Sequence, residues 1–263
     1  MALAGIFHQG SGLGNQLFRY IATRVAAEER GLTFGMVNPQ GFKGASFMQL
    51  DMGQPVPGTF HIEQSSGKVI AEGHGMKLYQ EKKILEDGVD IRSYDPDFNF
   101  IQDNTLIDGE FQDTRYFQNY DSYLDKWLGV KYLGMPNNLC IIGFRGGEFK
   151  HIPELFLPKS YYEEAIARMK SIRPNMKFVA VTDDPETARA MLPDEVGITH
   201  ELSLDWRMVR YARYLIISNS SFYILPALLN EYAVEIIAPY GWARRNTGQW
   251  ATRQNYYSKF LYI

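Results

Sequence analysis

Cys140 is the only cysteine in 263 residues, which excludes an intrachain disulfide and any cluster of cysteine metal ligands. A reducing, cytoplasmic setting suits such usage. The residue lies in the apolar run Leu139-Cys140-Ile141-Ile142, so the expectation is a small buried thiol rather than a nucleophile. No apolar run approaches the roughly 20 residues that cross a bilayer. The opening Met1-Ala2-Leu3-Ala4-Gly5-Ile6-Phe7 has neither a basic n-region nor a cleavage pattern and reads as a first strand. A membrane would therefore be met only peripherally. A formal charge of −3 gives no basic excess to hold nucleic acid.

Several chemical signatures are missing as well. There is no Walker A loop, no H-E-x-x-H, no Cys/His cluster and no G-x-S-x-G. The D-x-D pattern of metal-dependent sugar transfer occurs only as Asp95-Pro96-Asp97, which reads as a turn. Arg244-Arg245 reads as a solvated basic pair.

What is present is an apolar fraction of 45% and an alternation of strands and helices, the pattern of a parallel α/β architecture. Strands are expected at 3–8, 32–37, 139–144, 177–181, 215–217 and 235–238, the last closing the series. Helices are expected at 15–29, 159–171, 205–211 and 222–230, and aromatic-rich helical turns within 113–127. Residues 39–104, rich in Gly, Pro, Gln and Asp, show only strand-like pieces at 59–62 and 68–70. Met135-Pro136-Asn137-Asn138 reads as the break between an N-terminal lobe, 1–135, and a C-terminal lobe, 136–263.

Four segments carry polar chemistry. Gly10-Ser11-Gly12-Leu13-Gly14-Asn15 follows the first strand, where glycines let the backbone approach a ligand and helix amides favour anions. Position 15 is Asn, so this is not the dinucleotide fingerprint. Gly143-Phe144-Arg145-Gly146-Gly147-Glu148-Phe149 ends a buried strand, and a guanidinium there offers a cationic fork to a diphosphate. The bland alternative is an Arg145–Glu148 pair. Thr182-Asp183-Asp184 and Ser218-Asn219-Ser220-Ser221 occupy equivalent strand ends, suited either to phosphate and ribose or simply to capping helices. Three polar strand ends in one lobe favour a nucleotide cleft.

Taken together these segments resemble the α-1,2-fucosyltransferases, glycosyltransferase family eleven. Gly12-Leu13-Gly14-Asn15-Gln16-Leu17-Phe18 resembles their GLGNQ-M/L-F opening. Asp108-Gly109-Glu110-Phe111-Gln112 with Arg115-Tyr116-Phe117 resembles their G-Y-F/W-Q-S-E-K-Y-F segment. Gly143 to Phe149 stands in the place of H-x-R-R-G-D-Y, Thr182-Asp183-Asp184-Pro185 resembles S/T-D-D-P/x-E, and Ile216 to Phe222 resembles I-I-S-N-S-S-F-S-W-W. The order is the family's. The resemblance implies a GT-B architecture of two Rossmann-like lobes and inverting, metal-independent transfer from GDP-fucose to a hydroxyl of a glycan or glycolipid. No cofactor is implied. Arg145 would neutralise the β-phosphate, and Asn15 with Gly12 and Gly14 would hold the phosphate–fucose region. Ser220 and Ser221 would bond the diphosphate, Asp183 would line the nucleotide, and Asp205 would contact base or ribose.

Four departures stand out. Gly143 replaces the motif's histidine, Gly146 its second arginine and Glu148 its aspartate, while Tyr223-Ile224-Leu225 replaces the segment bearing the paired tryptophans. They leave open a different nucleotide-sugar donor, or a non-catalytic sugar- or nucleotide-binding relative. Glu110, Glu148 and His8 are candidates for the general base by position alone.

Overall fold

The computed structural model describes residues 2–56, 59–62, 69–72, 75–245, 247–252 and 257–263. Of the segments read as strand above, Met1 and Lys68 lie outside these residues. The chain divides into two compact units, Met1–Ile84 with Arg92–Gly129, and Leu85–Ile91 with Val130–Ile263. The Met135-Pro136 break lies inside the second. It is a mixed α/β chain with two parallel sheets and, among the described residues, six α-helices.

Numbering elements in chain order, the first unit holds β1 (Ala2–Ile6), α1 (Leu13–Glu29), β2 (Thr33–Val37), β3 (Thr59–Ile62), β4 (Val69–Glu72), β5 (Lys77–Gln80), β8 (Thr105–Asp108) and α2 (Asp121–Trp127). Its sheet is four-stranded and parallel in the order β2-β1-β8-β5, with Gly5 opposite Ile107 and Tyr79 opposite Ile107 on the far side. Strands β3 and β4 pair separately and antiparallel. Helix α1 presents Leu17, Ile21 and Val25 inward, the one-face spacing that the sequence shows. The aromatic-rich helical turns expected within 113–127 are a single 3-10 turn at Thr114–Tyr116 followed by α2. The Asp113 carboxylate accepts from the Arg115 amide and caps that turn, which stops the helix from starting earlier.

The second unit holds the small hairpin β6 (Leu85–Glu86) and β7 (Val89–Asp90), then β9 (Leu139–Phe144), α3 (Lys159–Ile172), β10 (Lys177–Thr182), α4 (Pro185–Met191), β11 (Gly197–Thr199), α5 (Leu202–Tyr211), β12 (Tyr214–Ile217), α6 (Ser221–Leu229), β13 (Glu235–Ala238), the antiparallel pair β14 (Ala243–Arg244) and β15 (Trp250–Ala251), and β16 (Leu261–Tyr262). Six strands form a parallel sheet in the order β11-β10-β9-β12-β13-β16. The expectation that 235–238 closes the series is corrected by β16, whose Leu261 pairs with Ile237 at the sheet edge. A two-residue strand carries too little periodicity to be read from sequence.

Strand β9 is buried along nearly its whole length, as a central parallel strand must be. Helix α3 covers it with Tyr162, Ala165, Ile166 and Met169, spaced three and four apart, against Cys140, Ile142 and Phe144. Each large apolar side chain buried there contributes on the order of 1.5–3 kcal/mol. Cys140 is fully buried, and burial pushes its thiol well above the ordinary range.

Candidate functional site

In open parallel sheets ligands gather beyond the carboxyl ends of the strands. In the second unit four neighbouring strand ends, those of β11, β10, β9 and β12, each open into a polar turn. The β9 turn carries Arg145. Its Nη1 lies 2.5 Å from Asp183 Oδ2 in the β10 turn, and its Nη2 donates to Glu148 Oε1 at 2.8 Å. The guanidinium also lies over the Phe149 ring, 5.2 Å from its centroid. The bland pair with Glu148 is thus present, joined by a second carboxylate from the next strand.

Two glycines let these turns approach. The amide of Gly146 donates to Asp183 Oδ1 at 3.0 Å, and a Cβ on Gly146 would come within 2.6 Å of Asp184 Cβ. Gly147 has φ +28°, where other residues are strained. The motif's second arginine therefore has no room at 146. Asp184 caps α4, accepting from the Thr187 amide, and also accepts from Lys150 Nζ at 2.7 Å. Lys150 and Thr187 hold its carboxyl down at about 2, against an ordinary 3.8.

Ser220 caps the N-terminus of α6, but its hydroxyl makes no bond to the helix amides, and Ser221 begins the helix. Just before them Ser218 Oγ and Asn219 Oδ1 are buried without a hydrogen-bond partner. Both residues line a partly open pocket whose walls include Tyr240, Trp242, Tyr257 and Phe260. Buried oxygens left unsatisfied are costly, which makes them notable beside an aromatic-walled cavity. Sequence reasoning had placed Ser218 and Asn219 in the strand end but not these aromatic residues, which come from a C-terminal stretch with no motif.

Asp205 lies in the first turn of α5, shortly after β11. It accepts from the Thr199 hydroxyl and, at 3.1 Å, from the Glu201 amide, and burial pushes its carboxyl up. Its hydrogen bonds thus serve the start of α5, whose cap is Glu201, accepting from the Ser203 and Leu204 amides.

The first unit gathers a different set. Gly10, with φ +83°, makes the sharp turn after β1, whereas Gly12 is the extended cap of α1 and Gly14 lies within the helix. Asn15 Oδ1 accepts from Gln112 Nε2 at 3.1 Å, joining the glycine-rich turn to the segment after β8. Arg19, 6% exposed, donates to the Gly109 carbonyl, to Ser11 Oγ at 3.0 Å and to Glu110 Oε1 at 3.0 Å. Phe111 takes a left-handed φ of 49° with its ring fully buried, a strained conformation that kinks the chain between Glu110 and Gln112. His8 Nε2 lies 2.6 Å from Asp108 Oδ1. Asn15, Gly12 and Gly14 are therefore brought together with His8, Arg19 and Glu110, while Arg145, Asp183, Ser220 and Ser221 are held by strand ends of the second unit.

Two other sequence readings meet the structure here. Asp95 accepts from the Asp97 amide and caps a 3-10 turn over Pro96–Phe100, so Asp95-Pro96-Asp97 is a turn. Arg244-Arg245 is not a solvated pair: Arg244 lies over the Trp250 ring and Arg245 pairs with Glu86 and Asp87. Among the described residues no group of three or more His, Cys, Asp or Glu could hold a metal ion, and no helix is long and apolar enough to cross a membrane. No protein-family profile matches the chain, and no curated protein matches it at a significant level.

Proposed function

We propose that the chain is an inverting glycosyltransferase with a GT-B arrangement, which transfers fucose from GDP-fucose to a glycan hydroxyl. The observation that supports this most is the convergence of Arg145, Asp183, Ser220 and Ser221 on adjacent carboxyl ends of one parallel sheet. In this reading the second unit holds the nucleotide diphosphate, and Arg145 exchanges its carboxylate partners for the β-phosphate. Charge that builds on the departing diphosphate then meets a fixed cation, the electrostatic device that gives such sites most of their effect. Neither metal nor cofactor has a part in the step. The acceptor, a glycan or glycolipid, is handled by the first unit.

A second reading keeps the transfer and changes the donor. Gly143 supports it, because the side chain that would fix the nucleotide at that position is missing and the Tyr223 ring fills the space. Thermal stabilisation by GDP, UDP, ADP and CDP separates the two. A nucleotide at 100 times its dissociation constant stabilises a two-state protein by about 2.7 kcal/mol. A GDP-selective shift with fucose transfer from GDP-fucose is the expected result. Selectivity for another nucleotide replaces the donor, and no turnover of any nucleotide sugar overturns the reading.

A further inference from the structure

From the geometry of the second unit we infer that the pocket lined by Ser218 and Asn219 is a subsite for the edge of a neutral pyranose ring. It stands on that unit alone and does not need the transferase reading. Ser218 and Asn219 follow β12, and Tyr240 and Trp242 follow β13, its parallel neighbour, so adjacent strand ends build the pocket. Tyr257 and Phe260 complete its walls. In the sheet order it lies on the β13 side of β12, whereas Arg145 and Asp183 follow β9 and β10 on the other side.

Two polar side chains are buried here with bonding capacity unused. Ser218 is 1% exposed and Asn219 3%, and neither Ser218 Oγ nor Asn219 Oδ1 has a hydrogen-bond partner among the described residues. The Asn219 amide is fixed, its Nδ2 donating to the Leu155 carbonyl at 3.0 Å and to the Trp242 carbonyl at 2.7 Å. Both amide protons are thus spent, and Oδ1 can only accept. Ser218 Oγ can accept as well, so the pair suits a ligand that brings adjacent donors. Leaving both oxygens unbonded costs stability, which a ligand with two hydroxyls would recover.

The walls narrow the ligand further. No Lys, Arg, Asp or Glu lines the pocket among the described residues, so a phosphate or carboxylate would lie there unpaired. Tyr257 meets Phe260 at 67° and Phe260 meets Tyr262 at 52°, so these rings offer no parallel slot for a flat nucleobase. A pyranose suits both features, because its C–H bonds pack on inclined rings while neighbouring hydroxyls supply donors. The enclosed space is about 30 Å³, room for roughly two or three waters, so a ring enters by one edge. Tyr240 is the exposed wall, at 57%, and is the ring that turns aside as that edge reaches the two oxygens.

The test titrates the natural chain with methyl α-L-fucopyranoside and methyl β-D-galactopyranoside, following the Asn219 side-chain amide and the Trp242 indole by nitrogen-15 NMR. Guanosine and inorganic phosphate are the flat and the charged comparisons. At least one glycoside is expected to shift both signals. Ser218→Ala should weaken that binding about fivefold while the melting temperature holds or rises, since only an unbonded oxygen is removed. A serine kept for structure alone would lower the melting temperature and leave binding unchanged. Tyr240→Ala should weaken binding about threefold with the melting temperature held. Displacement of the glycoside by GDP-fucose but not by GDP identifies the ring as a donor's sugar, and displacement by neither identifies the end of a glycan. No shift from either glycoside, binding unchanged in both variants, shifts from guanosine or phosphate instead, or displacement by GDP alone overturns the subsite. The nucleotide melts that test the transferase reading concern the Arg145 side of the sheet, so either proposal can fail while the other stands.

Discussion

The two units build their polar rims by different routes. In the second unit Arg145, Asp183 and Ser220 each come from the turn that directly follows a strand, and neighbouring strands bring the turns together. In the first unit the partners are far apart in sequence: His8 meets Asp108, Arg19 meets Glu110 and Asn15 meets Gln112. The first kind of rim depends on local turn chemistry. The second exists only when β1, α1 and β8 are all in place, so folding and site assembly are one event there.

This contrast can be broken most severely at Arg145. Arg145→Ala is expected to cost about a thousandfold in transfer rate with the fold intact, measured as kcat alongside a thermal melt. Transfer within threefold of normal would remove its phosphate role. Position 143 comes next. A Cβ on Gly143 would come within 2.6 Å of the Tyr223 ring, which is fully buried. Gly143→His is therefore expected to destabilise by roughly 3 kcal/mol, and Gly143→His with Tyr223→Ser to recover much of that loss in a double-mutant cycle. Additive losses would show that the two sites do not share this space.

How much was legible follows from the same contrast. The strand ends at Arg145, Asp183 and Ser220 could be read because each turn announces itself locally with glycines, a cap or a proline. The His8–Asp108 pair had no such signal. His8 was a candidate by position only, since nothing in a single sequence says which strand lies beside β1. Residues 39–104 hid β5, which pairs with β8, because its four residues alternate weakly and owe their place to that neighbour. The helical turns within 113–127 were legible from aromatic residues at helical spacing, but the cluster in which Tyr116 packs on Tyr94, Phe98 and Phe111 was not. That the Tyr223 ring fills the space beside Gly143 became visible only in three dimensions.

Smaller effects sharpen the comparison. Arg19→Met should strip three partners at once, leaving Glu110 and the Gly109 carbonyl unpaired, at a cost of roughly 3 kcal/mol in denaturant unfolding. A loss below 1 kcal/mol would show that the first rim does not depend on these distant ties. Asp184 supplies a pH signature for the second rim. Its carboxyl is held down at about 2 against 3.8, so its contribution is whole above 3.8 and is lost as pH falls through about 2. Asp184→Asn should lower stability at neutral pH and flatten the dependence across that window. An unchanged slope would mean that the Lys150 contact does not hold in solution. Smallest of all, Cys140 should react with a thiol reagent only as fast as the fold opens. Rapid labelling of the native protein would show that β9 is not the sealed centre described here.

Two buried phenols bear on how the second rim works. The Tyr223 hydroxyl lies 2.9 Å from the Phe144 carbonyl and 3.0 Å from that of Val181, at the ends of β9 and β10. The Tyr161 hydroxyl lies 2.6 Å from the Ile217 carbonyl and 3.4 Å from that of Ile237, at the ends of β12 and β13. Each shares one proton between two neighbouring strands where the ladder runs out. The floor beneath the polar turns is thereby stapled, so thermal fraying should begin in the turns and stop at these carbonyls. An incoming anion would meet a platform already set in place, and little of its binding free energy would go into ordering the sheet beneath it.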